Sequence, residues 1–159
     1  MIKIINAKLA DGSLVDVEIQ NGLISKVSKA SGSKSGEVID ATGKMLLPGL
    51  VDLHTHLREP GREDAETVLS GSTSAVAGGY TAISSMANTN PVADTAGVVE
   101  QIYRLGKDAG LCDVNPIGAV TKGIKGEQLA ELGAMADSIA AVRIFSDDGN
   151  CVADPLIMR

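Results

Sequence analysis

The chain has 159 residues, 44% of them apolar and 21% charged, enough to bury a core and too apolar for a disordered tail. Its formal net charge of −6 argues against binding nucleic acid or anionic lipid through bulk electrostatics, while leaving room for a local cationic pocket around a small acid. Aromatics are confined to Tyr80, Tyr103 and Phe145, so Ala, Val, Ile, Leu and Met must fill the interior.

The N-terminus, MIKIINAKLADG, lacks the apolar stretch of a signal peptide. KIINAKLA and LVDVEIQ alternate apolar with polar at period two around an ADGS turn. GLISKVSK repeats the alternation after Asn21-Gly22, a strong hairpin signal. SGSKSGE is expected to be a flexible loop, and EVIDATGKMLLPG begins another extended segment. Residues 1–47 therefore predict a small antiparallel β unit without chemistry of its own.

From Leu46 the texture becomes strand, helix, strand. LLPGLVDLHTH predicts a buried strand, and DAETVLSGSTSAVAGG a helix with Ala65, Val68, Leu69 and Val76 on one face. YTAISSMAN is the next strand. Asp94 is expected to cap a helix whose Val98, Ile102, Leu105 and Ala109 form a stripe ending at Gly110. CDVNPIGAVT, EQLAELGAMA and IAAVRIF predict a third strand, a third helix and a fourth strand. Such alternation implies an α/β fold with parallel pairing and right-handed crossovers.

Neither GxGxxG nor GxxxxGK[ST] follows any of these strands, which removes the main support for a nucleotide-binding open sheet. The polar clusters all fall at C-terminal strand ends, as on the active rim of a (β/α)8 TIM-like barrel. A closed barrel takes about 250 residues. Residues 48–159 are therefore expected to be its first half, in a truncated chain. No run approaches membrane-spanning length, and Cys112 and Cys151 form no CxxC pair, so a cytoplasmic protein with reduced thiols is expected.

The two histidines of the chain are His54 and His56. On a strand, positions two apart point the same way, with α-carbons about 6.5–7 Å apart, and imidazole suits zinc. Further ligands must come from elsewhere. Asp147 and Asp148, in IFSDDGNC after the fourth strand, offer carboxylates that two divalent cations could share, although Asp-Gly also marks a plain turn. Arg58 stays in phase with the histidines if the chain remains extended, and could clamp a substrate carboxylate or pair with Glu59 or Glu63 on the surface. Asn88 and Asn90 could offer amide donors to the same anion, or serve only as turn residues before Pro91. Asp52 shares the histidines' phase one step deeper and is read as structural.

Together, VDLHTHLREPG, AGGYTAISSMANTNP, GAVTKG and FSDDG resemble the dihydroorotases of the amidohydrolase superfamily, in particular the bacterial class with a bridging aspartate. The resemblance runs over essentially the whole chain. It implies that His54 and His56 bind one zinc of a binuclear pair, that Asp148 bridges the two zinc ions, and that Arg58 and Asn88 hold the substrate carboxylate. Ala87 stands where many relatives place proline, which leaves the neighbouring amide in place. The implied reaction is the reversible hydrolysis of (S)-dihydroorotate to N-carbamoyl-L-aspartate in de novo pyrimidine biosynthesis.

Hydantoinases, dihydropyrimidinases and allantoinases share the HxH strand but usually bridge their metals with a carboxylated lysine on the fourth strand, and lack the arginine. No lysine occurs from Gly126 to Arg159. A further alternative is a non-catalytic, dihydroorotase-like partner of aspartate transcarbamoylase, although such chains typically lose the HxH histidines. The resemblance also implies that a β-sandwich segment spans 1–47, and that two more histidine ligands and a general acid/base aspartate lie after Arg159. The chain alone is then expected to carry no catalytic residue, and to be inactive and poorly soluble. The implied partner is a small molecule, with a homo-oligomer or a complex with aspartate transcarbamoylase as the implied assemblies.

Overall fold

The computed structural model describes residues 1–32 and 36–159, which divide into two units, Met1–Pro48 and Gly49–Arg159. In the first, β1 (Ile2–Lys8), β2 (Leu14–Gln20) and β3 (Leu23–Lys29) form an antiparallel meander. The β2–β3 turn is made by Asn21 and Gly22, both at positive φ (52° and 77°), as a type I′ hairpin requires.

The expectation of a wholly antiparallel unit fails at β4 (Glu37–Asp40), which pairs parallel to β1 in a sheet of order β3-β2-β1-β4. β3 and β4 therefore run the same way and do not form a hairpin pair. The loop expected over SGSKSGE includes 33–35, which lie outside the described residues. Ala7, Val15, Val17 and Ala41 form the small core. Asp16 is fully buried within it, where its carboxylate accepts hydrogen bonds from the Asn6 and Ser31 amides.

The second unit carries a parallel sheet of order β5-β6-β7: Leu50–Thr55, Tyr80–Ser85 and Asp113–Pro116. Helices α1 (Val68–Ala77) and α2 (Ala96–Ala109) make the crossovers. The core gathers Leu57, Val68, Ile83, Val99, Ile102 and Val114.

Several expectations change in detail. β5 is not buried: Val51 and Leu53 are 58% and 62% exposed, because this strand is the sheet edge and pairs on one side only. Helix α1 starts later than DAET, since Thr67 closes a capping box with Ser70; Leu69 and Val76 face outward while Val68 and Ser72 are buried. The α2 cap is Thr95, not Asp94, whose carboxylate instead accepts from the Gly123 amide at 2.8 Å. The deepest residues of α2 are Val99, Ile102 and Gly106.

Helix α3 is short (Leu132–Asp137), because Gln128 and Ala130 are taken up in backbone hydrogen bonds with Lys122 and Val120. Regular pairing in β7 stops at Pro116, which has no amide to donate. The expected fourth strand is reduced to one parallel bridge, Gly118 to Phe145, with Ala141 at φ 46° breaking the run before it. A four-residue helix, α4 (Pro155–Met158), follows. Among the described residues, no helix is long and apolar enough to cross a membrane.

Candidate metal centre

His54 lies on β5 and His56 just past its end, so both sit at the C-terminal edge of the sheet. Their rings face each other edge-on, with centroids 5.2 Å apart. The Asp52 carboxylate accepts from the His54 backbone amide at 3.0 Å, which pins the strand before the pair.

Asn88 follows β6, the neighbour of β5, while Asp148 follows the Gly118–Phe145 bridge on the far side of β7, so the two arrive from different strand ends. His54 Nε2 lies 3.1 Å from Asp148 Oδ1. Asn88 Nδ2 donates to Asp148 Oδ2 at 2.7 Å, and its Oδ1 is 3.0 Å from His56 Nδ1. His54, Asp148, Asn88 and His56 thus form one continuous polar chain.

Ligand atoms of His54, His56 and Asp148 all fall within 4.8 Å of one another. Two imidazoles and a carboxylate at this spacing could hold a metal ion, and the donor set is one that zinc accepts. Fewer than four protein donors leave open positions for other ligands or water.

The two aspartates separate by environment. Asp147 is 4% exposed and accepts from the Val120 and Thr121 amides at 2.8 and 3.0 Å, and from the Thr121 hydroxyl. Asp148 is half-buried at φ 55°, a left-handed conformation that aspartate tolerates better than most residues, and its amide is held by Ser146 Oγ at 3.0 Å. Sequence reasoning missed the role of Thr121. A threonine followed two residues later by glycine, in GAVTKG, was the available signal.

Arg58 does not continue the strand: β5 ends at Thr55, and Arg58 has φ 61°, so the phase relation to the histidines is lost. Neither carboxylate considered as its surface partner takes that role. Glu59 accepts from the Val68 amide and Glu63 from the Gly61 amide. Among the described residues, the half-buried Arg58 guanidinium has no hydrogen-bond or ion-pair partner. Asn90 is exposed, and its backbone amide donates to the Pro60 carbonyl at 2.9 Å, tying the Arg58 loop to the Asn88 loop. Gly61 sits at that junction, where a Cβ would come within 2.1 Å of the Asn90 carbonyl oxygen.

A family profile described as Dihydro-orotase-like matches residues 43–158. The chain is 60% identical to a dihydroorotase from Streptomyces coelicolor over 96% of its own length and 36% of that relative's. Identity to the dihydroorotase of Leifsonia xyli is also 60%, over 98% of the chain and 36% of the relative. With the Mycobacterium tuberculosis dihydroorotase it is 54%, over 94% and 35%. The chain therefore spans little more than a third of the length of these relatives.

Among solved structures, an L-hydantoinase (dihydropyrimidinase) from Arthrobacter aurescens is similar at TM-score 0.65 and 24% identity, over 77% of this chain and 29% of that one. A dihydropyrimidinase from Brevibacillus agri is similar at TM-score 0.55 and 26% identity, over 75% and 27%. The fold these likenesses establish is α/β, the first half of a (β/α)8 barrel. The chain belongs to the dihydro-orotase-like family.

Proposed function

We propose that the protein containing this chain is a dihydroorotase, a zinc-dependent enzyme of the cytoplasm that reversibly hydrolyses (S)-dihydroorotate to N-carbamoyl-L-aspartate in pyrimidine biosynthesis. The observation that carries this reading is the convergence of His54 and His56 with Asp148, drawn from separate strand ends, in a chain 60% identical to dihydroorotases. Residues 1–47 would belong to a β-sandwich and 48–159 to the barrel.

In this reading His54, His56 and Asp148 would hold zinc, with two ions expected per site. A bound zinc supplies Lewis acidity, which lowers the pKa of water and polarises a carbonyl. The chain's own residues bind and orient the ring. Arg58, with its guanidinium uncommitted, offers a fork that matches a carboxylate. Asn88 keeps one Nδ2 hydrogen beyond the bond to Asp148, and that hydrogen can meet the same anion. Anchoring the ring by its carboxylate presents the scissile carbonyl in one orientation, so the bimolecular step gains the advantage of proximity.

A cyclic amidohydrolase acting on hydantoin or dihydrouracil is the second reading, favoured by the similarity to a dihydropyrimidinase structure at 26% identity. The first is preferred because the Asp148 carboxylate lies with the ligand atoms of His54 and His56, and no lysine occurs from Gly126 to Arg159 to carry a carboxylate there. Ring-opening assays of the whole protein on dihydroorotate, hydantoin and dihydrouracil test the choice. Preferred turnover of hydantoin or dihydrouracil would replace the proposal with the second reading, and no turnover of any would favour the non-catalytic partner.

A further inference from the structure

We propose that Asn88 is a positioning residue for the metal ligands: it sets which ring nitrogen of His56 is available to a cation and steers the carboxylate of Asp148. The inference rests on the reading of His56 and Asp148 as ligands.

The argument follows from donors and acceptors. A carboxylate only accepts, so the Asn88 atom 2.7 Å from Asp148 Oδ2 must be the amide nitrogen. Flipping the amide would set two acceptor oxygens against each other at that distance. With Nδ2 committed, Oδ1 is the atom facing His56 Nδ1 at 3.0 Å. A carbonyl oxygen also only accepts, so the His56 hydrogen sits on Nδ1. The lone pair of a neutral ring is then on Nε2, which becomes the ligand atom. One amide thus orders two ligands drawn from different strand ends.

The Asn88 side chain is well placed for this work. Ala87 is fully buried, with its carbonyl accepting from the Ala93 amide at 3.0 Å. Thr89 is buried and donates from Oγ1 to the Pro91 carbonyl at 2.7 Å. Asn88 stands between two fixed neighbours. His54 lacks any such arrangement: among the described residues, its ring touches Asp148 through Nε2 and has no hydrogen-bond partner on Nδ1. The tautomer control is therefore specific to His56.

The experiment is Zn2+ titration of the metal-stripped whole protein against a competing chelator, for wild type, Asn88→Ala, Arg58→Ala and His56→Ala, with 15N NMR of the His56 ring in the metal-free wild type. Asn88→Ala is expected to lower Zn2+ affinity about 10–100-fold, the usual cost of removing an outer partner of a ligand. Arg58→Ala is expected to leave affinity unchanged, and the wild-type His56 ring should carry its hydrogen on Nδ1. Wild-type affinity in Asn88→Ala overturns the proposal and leaves Asn88 a substrate contact alone. A wild-type His56 hydrogen on Nε2 overturns it even if the Asn88 variant does not fold. Unchanged Zn2+ affinity in His56→Ala would instead overturn the metal-site reading beneath it.

Discussion

Asp147 and Asp148 are chain neighbours whose carboxylates serve opposite ends of one turn. The first is sealed against the Val120–Thr121 backbone, and the second faces His54 at 3.1 Å. The Asp147 backbone carbonyl closes the turn by accepting from the Asn150 amide at 3.0 Å. One aspartate therefore anchors the loop, which holds the other where a cation could meet it.

That division predicts different phenotypes for the two alanine variants. Asp147→Ala leaves buried amides of Val120 and Thr121 without an acceptor, at about 1–3 kcal/mol for each. Its thermal midpoint should fall, and Asp147→Asn, which keeps an acceptor oxygen, should recover part of the loss. Asp148→Ala should keep the metal-free midpoint close to wild type and lose bound metal. Metal analysis beside thermal unfolding checks both, and equal metal loss in the two alanine variants would contradict the assignment.

For Arg58→Ala in the whole protein, KM for dihydroorotate should rise about 10–100-fold, the worth of one or two charge-assisted hydrogen bonds. Bound metal should be unaffected. Lysine should restore only part of the affinity, because a point charge cannot make the paired contact of a guanidinium. Steady-state kinetics with metal analysis decides the matter, and loss of metal would place Arg58 in the wrong role.

The buried carboxylate of Asp16 is held down to about 2, below the ordinary 3.8, chiefly by the Asn6 amide and then by Ser31, with Lys3 Nζ 3.7 Å away. A depressed folded value means the contribution to stability is complete above about 3.8 and is lost as pH falls through about 2. Carbon NMR of the Asp16 carboxyl group through an acid titration should give a midpoint near the lower figure. A midpoint near 3.8 would show that the amides do not hold the ionised form.

Helix α2 packs so closely on β7 that a Cβ on Gly106 would lie 2.5 Å from Val114 Cβ. Alanine there gains about 1 kcal/mol of helix propensity but must push the backbones apart, at about 1–3 kcal/mol. The clash involves a Cβ atom that cannot rotate away, so Gly106→Ala should lower stability in urea unfolding. A gain in stability would mean the helix has room to shift.

The strand–helix alternation was legible because each apolar period is local, and the type I′ turn because Asn-Gly favours it so strongly. The parallel pairing of β4 with β1 was hidden: four residues of alternating pattern do not say which neighbour they will choose. Asp94 looked like a helix cap, yet a distant amide, that of Gly123, competed for its carboxylate. The histidine pair and the DDG turn were visible as motifs. Their joining through Asn88 could not be seen, since it depends on contacts 32 and 60 positions apart.

Gly61 ties the two arms of the proposed anion clamp together. Because its hydrogen is all that separates it from Asn90, the arm bearing Arg58 and the arm bearing Asn88 share a pivot and must travel as one jaw. A methyl group there would pry the jaw open without removing any group that grips the substrate. Gly61→Ala should accordingly loosen grip on a carboxylate-bearing ring while leaving bound metal alone, and an unaltered KM would show that the pivot has slack.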